Sequence, residues 1–279
     1  MIGRIWLMIS YIYRHRFLWL RRLSQIGILL LFVGANLWGW NVLVGDLSSA
    51  HVFGLFYLSD PHAIVQMLAA GFLVGTDAIV GGLIVLIIYG FIGGRAFCSW
   101  VCPMNIVTDT ALWLRKKWNL NEVQFNTPIK RNIRYWVLLL GLILSVFSGV
   151  AAFEFVNPVS MLHRGIIFGM GFGWAAIAVI FLFDLFVLKN GWCGHVCPIG
   201  AFYSITGKYH WIKVKHTLEN CTNCNLCFVV CPEPQVLNII GKKSGPINNS
   251  ECTNCGRCIE VCEDKALKFI NKEKIIRRK

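Results

Sequence analysis

Charge is what this sequence has least of, and negative charge is the scarcer sign. Of 279 residues 15% are charged, 14 acidic against 27 basic, while 56% are apolar. A soluble domain carries roughly 25% charged residues, so an ordinary water-facing surface is excluded for most of the chain. Two catalytic signatures are missing as well. There is no Cys-x-x-Cys-His haem-attachment pattern and no glycine-rich nucleotide loop. The glycines at 165, 169 and 173 tempt such a reading, but their spacing is wrong and no strand precedes them.

The sequence does contain long apolar runs. Four approach the ~20 residues needed to cross a hydrocarbon core about 30 Å thick: 25–44, 73–93, 135–153 and 166–188. As buried helices of a soluble core they would leave too little polar surface to cover them. Orientation follows from the basic residues, because cytoplasmic loops retain positive charge during insertion. Every Lys and Arg but Arg164 falls before the first run, between the second and third, or after the fourth; Arg164 shares the opposite side with Asp46, Asp60 and Glu154. The expectation is an α-helical integral membrane protein with four crossings and both termini cytoplasmic.

A net charge of +13 would suit nucleic acid, but the basic residues border every apolar run and form no single stripe. Anionic membrane lipid accounts for them better, and no nucleic-acid partner is expected. Residues 1–23 interleave Trp6, Tyr11, Tyr13, Phe17 and Trp19 with Arg and His, as an interfacial helix on the cytoplasmic surface does. A cleaved signal ending near Ser48-Ser49-Ala50 is the competing reading; the apolar run is too long for it, and three more follow. Gly165, Gly169 and Gly173 predict a close helix–helix approach. The chain thus divides into an interfacial segment (1–23), a four-helix membrane domain (24–203) and a C-terminal cytoplasmic unit (204–279).

Twelve cysteines in a chain whose ends face a reducing compartment are ligands or reactive thiols before they are disulfides. Eight repeat one pattern: Cys221, Cys224, Cys227 and Cys231 before Pro232, then Cys252, Cys255, Cys258 and Cys262. This is the bacterial two-cluster ferredoxin run. Two-residue gaps let three thiolates of one loop reach three corners of a cubane, with Asn225 and Gly256 where sharp turns are easy. Since the last Cys of each run normally ligates the other cluster, one [4Fe–4S] cluster is assigned to Cys221, Cys224, Cys227 and Cys262, the other to Cys252, Cys255, Cys258 and Cys231. A zinc ribbon fits this order badly. An α+β ferredoxin-like unit with few large apolar side chains is stabilised by cluster ligation.

The other four cysteines form a second pair of motifs. Cys98-Ser99-Trp100-Val101-Cys102-Pro103 follows the second apolar run and Cys193-Gly194-His195-Val196-Cys197-Pro198 the fourth. If the helix continues, thiols at i and i+4 share a face, and Pro103 and Pro198 mark breaks where backbone bends toward a cofactor. Cys98, Cys102, Cys193 and Cys197 are either a further redox or metal site or small residues capping two helices.

GRAFCSWVCPMN at 94–105, GWCGHVCPIGAFY at 191–203 and a C-terminal two-cluster ferredoxin after four crossings resemble the NapH family. NapH is the membrane ferredoxin-type subunit of the quinol dehydrogenase that serves periplasmic nitrate reductase. The cysteine motifs alone are shared with a nitrous-oxide reductase regulator and a cytochrome oxidase assembly protein; length, element order and the lack of a large periplasmic domain favour NapH. The resemblance implies a place in the bacterial inner membrane and oxidation of quinol from the quinone pool, with electrons delivered to a periplasmic ferredoxin-type subunit resembling NapG and through it to nitrate reductase. The chain is then a component of a dehydrogenase, not the terminal reductase.

A quinol sheds protons with its electrons, so ionisable groups at membrane depth are the candidates. Asp77 lies early in the second run; Asp184 lies late in the fourth, where with His195 it would set a base beside the cytoplasmic thiols, or pair with Arg95 to hold two helix ends. His51, His62 and His163 lie in the opposite loops. Two other classes compete with quinol-linked electron transfer: a metal-handling or maturation factor that reduces copper or thiols, and a redox sensor.

Overall fold

The computed structural model describes residues 13–120, 130–169 and 171–271. Trp6 and Tyr11 of the expected interfacial segment lie outside these residues. The rest of that segment is continuous with the first apolar run in one helix, α1 (Arg16–Trp38), ended by Gly39 at φ +69. Position 23 is therefore no boundary. Arginine is a good helix former, and Arg21 and Arg22 turn onto Asp109 of a later helix.

Residues 43–59 form an antiparallel sheet that the apolar pattern did not reveal: β1 (Leu43–Gly45), β2 (Ser49–Val52) and β3 (Phe56–Ser59). Two similar halves follow. In the first, Asp60 accepts the His62 N–H and Pro61 opens α2 (Pro61–Ala69). Next comes α3 (Thr76–Gly93), whose final turn, Ile88–Gly93, is a π turn; then α4 (Ala96–Trp100) and α5 (Met104–Lys117). α6 (Ile133–Ser148) and the short α7 (Ala152–Val156) lead to the second half. There Asn157 accepts the Val159 N–H and Pro158 opens α8 (Pro158–Phe168). α9 (Gly173–Val187) again ends in a π turn, Phe183–Val187, and α10 (Pro198–Thr206) follows the second cysteine motif.

α1 and α3 are long and apolar enough to cross a membrane; α6 and α9 are apolar but shorter. Only 22% of the apolar window of α1 and 17% of that of α3 is buried, unlike the enclosed core helices of a soluble protein. Leu30, Leu83, Phe147 and Val179, one on each of the four helices, face outward, and apolar surface this continuous calls for lipid. The fourth run is not one helix. α8 stops at Phe168, Gly169 and Gly171 take φ +108 and +47, and α9 starts afresh at Gly173. Gly169 is a chain-reversal device and not the packing stripe its spacing suggested: a side chain there would meet nothing within 4 Å.

The C-terminal unit pairs β4 (Ile212–His216) with β5 (Gly245–Pro246) and β6 (Leu267–Asn271) around two one-turn helices, α11 (Leu226–Val230) and α12 (Arg257–Val261). It is seated on the membrane domain by backbone. Trp211 N–H donates to Phe91 O at 2.6 Å, a carbonyl in the π turn of α3. Glu260 accepts the Phe17 and Leu18 N–H groups at 2.5 and 2.9 Å, so the unit caps α1 with a carboxylate where the helix dipole favours one. Gly207 crosses Gly94 so closely that a Cβ on Gly207 would stand 2.5 Å from the Gly94 Cα. Backbone on both sides cannot yield. Gly207→Ala is therefore expected to loosen the C-terminal unit, seen as new protease cleavage at 207–211 with α1–α9 intact; unchanged digestion would show the crossing to be dispensable.

Candidate iron–sulfur centre

The two ferredoxin-type loops share one backbone solution. Asn223 and Asn225 take φ +58 and +59; Asn254 and Gly256, at the same places in the second loop, take +50 and +75. Left-handed residues at alternate positions turn the thiols of each loop inward. Asn225 and Gly256 are where the sequence placed sharp turns; Asn223 and Asn254 were readable in principle, since Asn tolerates this region better than most residues. Each also stands with its side-chain oxygen 3.6 Å from a thiol, that of Cys221 or Cys252.

Two narrow cavities, of about 10 and about 20 Å³, lie inside the unit. Cys221, Cys224, Cys227 and Cys262 line one. Cys252, Cys255, Cys258 and Cys231 line the other, with Val214, Val236 and Ile247. The last cysteine of each run thus reaches the cavity of the other run. The donors fit a cluster better than a lone ion. Burial pushes the Cys252 thiol up to about 12 and the Cys231 thiol up as well, and ligated iron is what makes buried thiolates favourable. Among the described residues, no three His, Cys, Asp or Glu side chains gather closely enough to share one ion; a cubane spreads its ligands over a larger body.

The paired motifs also come together. Cys98 is on α4 and Cys193 in a π turn, Trp192–Val196, but neither helix continues to the second cysteine, so an i, i+4 face does not form. Instead the chain breaks identically in both copies. Cys102 N–H donates to Phe97 O at 3.0 Å and Cys197 N–H to Trp192 O at 2.9 Å, each reaching back five residues before Pro103 or Pro198 leads into the next helix. Cys102 and Cys197 are buried in one core with Met104, Ile199 and Tyr203. All four sulfurs lie within electrostatic reach of one another.

Between this quartet and the Cys252 cavity lies a layer of buried charge that sequence reasoning missed. Arg95, 1% exposed, donates to Glu233 Oε1 at 2.8 Å and to the Glu251 carbonyl at 3.0 Å. Arg134 donates to the same Glu233 oxygen at 2.9 Å and pairs with Glu251. Arg131 closes on Glu233, and Tyr135 and Gln235 supply further donors to Glu251. Glu233 and Glu251 flank Cys231 and Cys252 in the chain. Arg95 lies within electrostatic reach of Cys98 and Cys197 on one side and of Cys252 on the other. Gly200 makes room for it: a Cβ there would stand 2.8 Å from Nη2. Ser99 Oγ and Trp100 Nε1 add hydrogen bonds to the Thr253 and Asn254 carbonyls, 2.6 and 3.1 Å. The one hint in the sequence was an acidic residue beside each of two ligand cysteines in a chain with few acids.

The proposed proton-handling groups are not brought together. Asp184 is fully buried, accepts the Trp192 N–H at 2.9 Å and leaves Oδ2 without a hydrogen bond. It does not pair with Arg95, whose partner is Glu233, because the π turn aims it at the second cysteine motif. His195 faces the Asn190 carbonyl at 3.4 Å; burial and the nearby Arg131 depress its basicity. Asp77 is exposed in the first turn of α3, where a carboxylate complements the helix dipole. His62 and His163 are not loop residues but buried in α2 and α8, while His51 packs on Tyr57.

Burial works to raise the Glu233 carboxyl, but Arg95, Arg134 and Arg131 outweigh it and hold it below the usual carboxylate range; Glu251 is held low as well. A lowered folded value means that the stability is present above the unfolded value and is lost as pH falls through the folded one. Docking of the C-terminal unit should therefore fail below the ordinary carboxylate range, followed as acid-induced loss of tertiary structure. Glu233→Gln should cost about 3–5 kcal/mol, since it strands buried arginines; a melting temperature within two degrees of the unmodified chain would contradict this.

Residues 74–121 and, again, 170–218 match a family described as 4Fe-4S binding domain, each match containing one of the paired cysteine motifs. Residues 213–263 match a 4Fe-4S dicluster domain. The chain is 45% identical over 83% of its length to the methylamine utilization ferredoxin-type protein MauN of Methylorubrum extorquens, covering 80% of that protein. It is 43% identical over 80% of its length to the ferredoxin-type protein NapH of Escherichia coli, covering 77% of it. The NapH of Haemophilus influenzae is 43% identical over 83% of the chain, with 80% of that protein covered. No solved structure matches the chain. Likeness at this level, over this much of both chains and with the cysteines arranged as described, makes the chain a member of the NapH and MauN family of ferredoxin-type iron–sulfur proteins.

Proposed function

We propose that the chain is the membrane iron–sulfur subunit of a quinol dehydrogenase, with four crossings, both termini cytoplasmic and two [4Fe–4S] clusters in the C-terminal unit. The observation that carries this reading is the arrangement of thiol sets about the Arg95–Glu233 layer. Cys102 and Cys197 of the quartet pack in the core of the helical domain, Arg95 lies within electrostatic reach of both the quartet and Cys252, and the Cys221 set includes the exposed Cys224. A cluster, when bound, supplies one-electron chemistry. The protein's own contribution is to hold the sites in place, keep water from the buried thiols and place positive charge between them.

In this reading electrons enter from the quinol pool, reach a NapG-like ferredoxin-type subunit and end on periplasmic nitrate reductase, as in the NapH system. Identity to MauN of 45% supports a second acceptor, the methylamine utilization system, with the same electron-carrying core.

Reporter fusions should show position 60 outside and positions 120 and 271 inside; an outside signal at 271 would reverse the topology. The purified protein should hold about eight iron in its two cubanes, more if the quartet holds a further cluster. Cys262→Ala should damage the cluster of Cys221, Cys224 and Cys227 in the electron paramagnetic resonance spectrum; damage confined to the Cys252 set would contradict the crossed ligation. Cys98→Ser and Cys193→Ser should each abolish quinol-dependent reduction of both clusters while leaving them assembled. The double variant should be no worse, because members of one site are non-additive. Wild-type reduction rates in the single variants would return the quartet to a packing role.

A further inference from the structure

Arg164, the one basic residue on the side opposite all the others, is not idle. Its Nε donates to Asp46 at 2.6 Å and its Nη2 stands 3.8 Å from Glu154. Glu154 is mostly enclosed: Oε1 accepts from Ser48 and Ser160 hydroxyls, both at 2.7 Å, and Oε2 accepts from Asn157 at 3.1 Å. Above these groups opens a pocket of about 470 Å³ whose walls are otherwise Met67, Phe72, Val150, Phe155 and Met161. Its volume falls in the range of small-molecule sites, and an apolar wall around a few converging polar groups is their usual make-up.

One connected core joins the wall of this pocket to the thiol quartet. Phe153 and Val159, the chain neighbours of Glu154 and Ser160, turn the other way and pack in the core that contains Cys102 and Cys197. Close behind stands Asp60, whose carboxyl burial pushes up to about 7, against the His62 N–H that it accepts and with the charge of Glu154 adding to the rise. The pocket is thus mostly apolar, carries a carboxylate, and is continuous through Phe153 and Val159 with the core that contains Cys102 and Cys197.

We propose that this pocket seats the headgroup of a lipid-soluble quinol, with Glu154 accepting its hydroxyl proton and Arg164 fixing the Glu154 side chain; the proposal rests on the quinol-oxidising reading given above. One quinol becomes one quinone. Its two protons leave one after the other through the Glu154 carboxylate to water on that side. Its two electrons reduce two oxidised [4Fe–4S] clusters by one electron each. The larger cleft on the opposite face, about 730 Å³, suits this role less. Arg14, Arg21, Arg22, Lys116, Lys189 and Arg257 line it with Asp109 and Glu260, an excess of positive charge that suits an anionic lipid headgroup better than a neutral quinol.

The test uses the full chain in lipid nanodiscs with a decyl-tailed azidobenzoquinone as photolabel, followed by peptide mapping. Saturable label in 67–72 or 150–164, displaced by unlabelled decylbenzoquinol, is expected. Val150→Trp, which fills the pocket from a loop, should abolish that label while the cluster spectrum stays unchanged. Glu154→Gln should weaken binding about tenfold, the loss of one charge-assisted hydrogen bond; undiminished affinity would remove Glu154 from the site. Label concentrated at Trp113 and Lys189 would overturn the pocket and leave the quinol reading standing. Saturable label nowhere would overturn both.

Discussion

The structure depends on two buried arginines, Arg95 and Arg134, sharing the carboxylate of Glu233. Arg95 comes from the end of the second apolar segment, Arg134 from the start of the third, and Glu233 from the loop that carries Cys231. Taking such charges out of water costs several kcal/mol each, and an apolar contact of the same size would often be more stable. What ion pairing adds is register: guanidinium forks accept a carboxylate in few orientations. Two units joined by few contacts, the helical domain and the C-terminal cysteine-rich unit, need orientation more than they need extra stability. Arg22 and Arg257 on Asp109, and Glu260 on the first turn of α1, repeat the principle at the rim.

That layer also bears on electron transfer. Positive charge lying between two thiolate-rich sites favours the reduced state of each, because reduction adds an electron to an already anionic cluster. Arg95 is within reach of both the quartet and the Cys252 set, so its effect falls on the step between them. Arg131 and Arg134 are neutralised mainly by Glu233 and Glu251 and serve the joint more than the redox sites.

Chemistry that lives in local spacing was legible in the sequence. Cysteine gaps of two residues specified both ferredoxin loops, and even the crossing of Cys231 and Cys262 appears in which cavity each one lines. Contacts that depend on distant partners were not. Nothing near Arg95 announces Glu233, 138 residues away, and the partner the sequence suggested for Arg95 was Asp184. The apolar pattern found α1 and α3, the two helices long and apolar enough to cross a membrane, but could not see that Gly169 and Gly171 break the fourth run, since a glycine stripe and a glycine turn look alike until φ is known. The sheet of 43–59 was hidden because its strands, three or four residues long, are too short to show a period.

The internal repetition explains why the quartet forms at all. Each half runs from a proline-started helix through an apolar helix to a π turn, then to Cys-x3-Cys-Pro. A π turn holds one more residue than an α turn, and in both halves it falls just before the motif. The shift in phase turns the motif off the lipid-facing helix toward the centre. There the five-residue hydrogen bond to Cys102 or Cys197 fixes the second thiol beside its counterpart. Two copies related in this way bring four thiols together from two segments 95 residues apart, a separation shared by Cys98 with Cys193 and Cys102 with Cys197. One copy would bring only two thiols to this core, so the duplication is what gathers four.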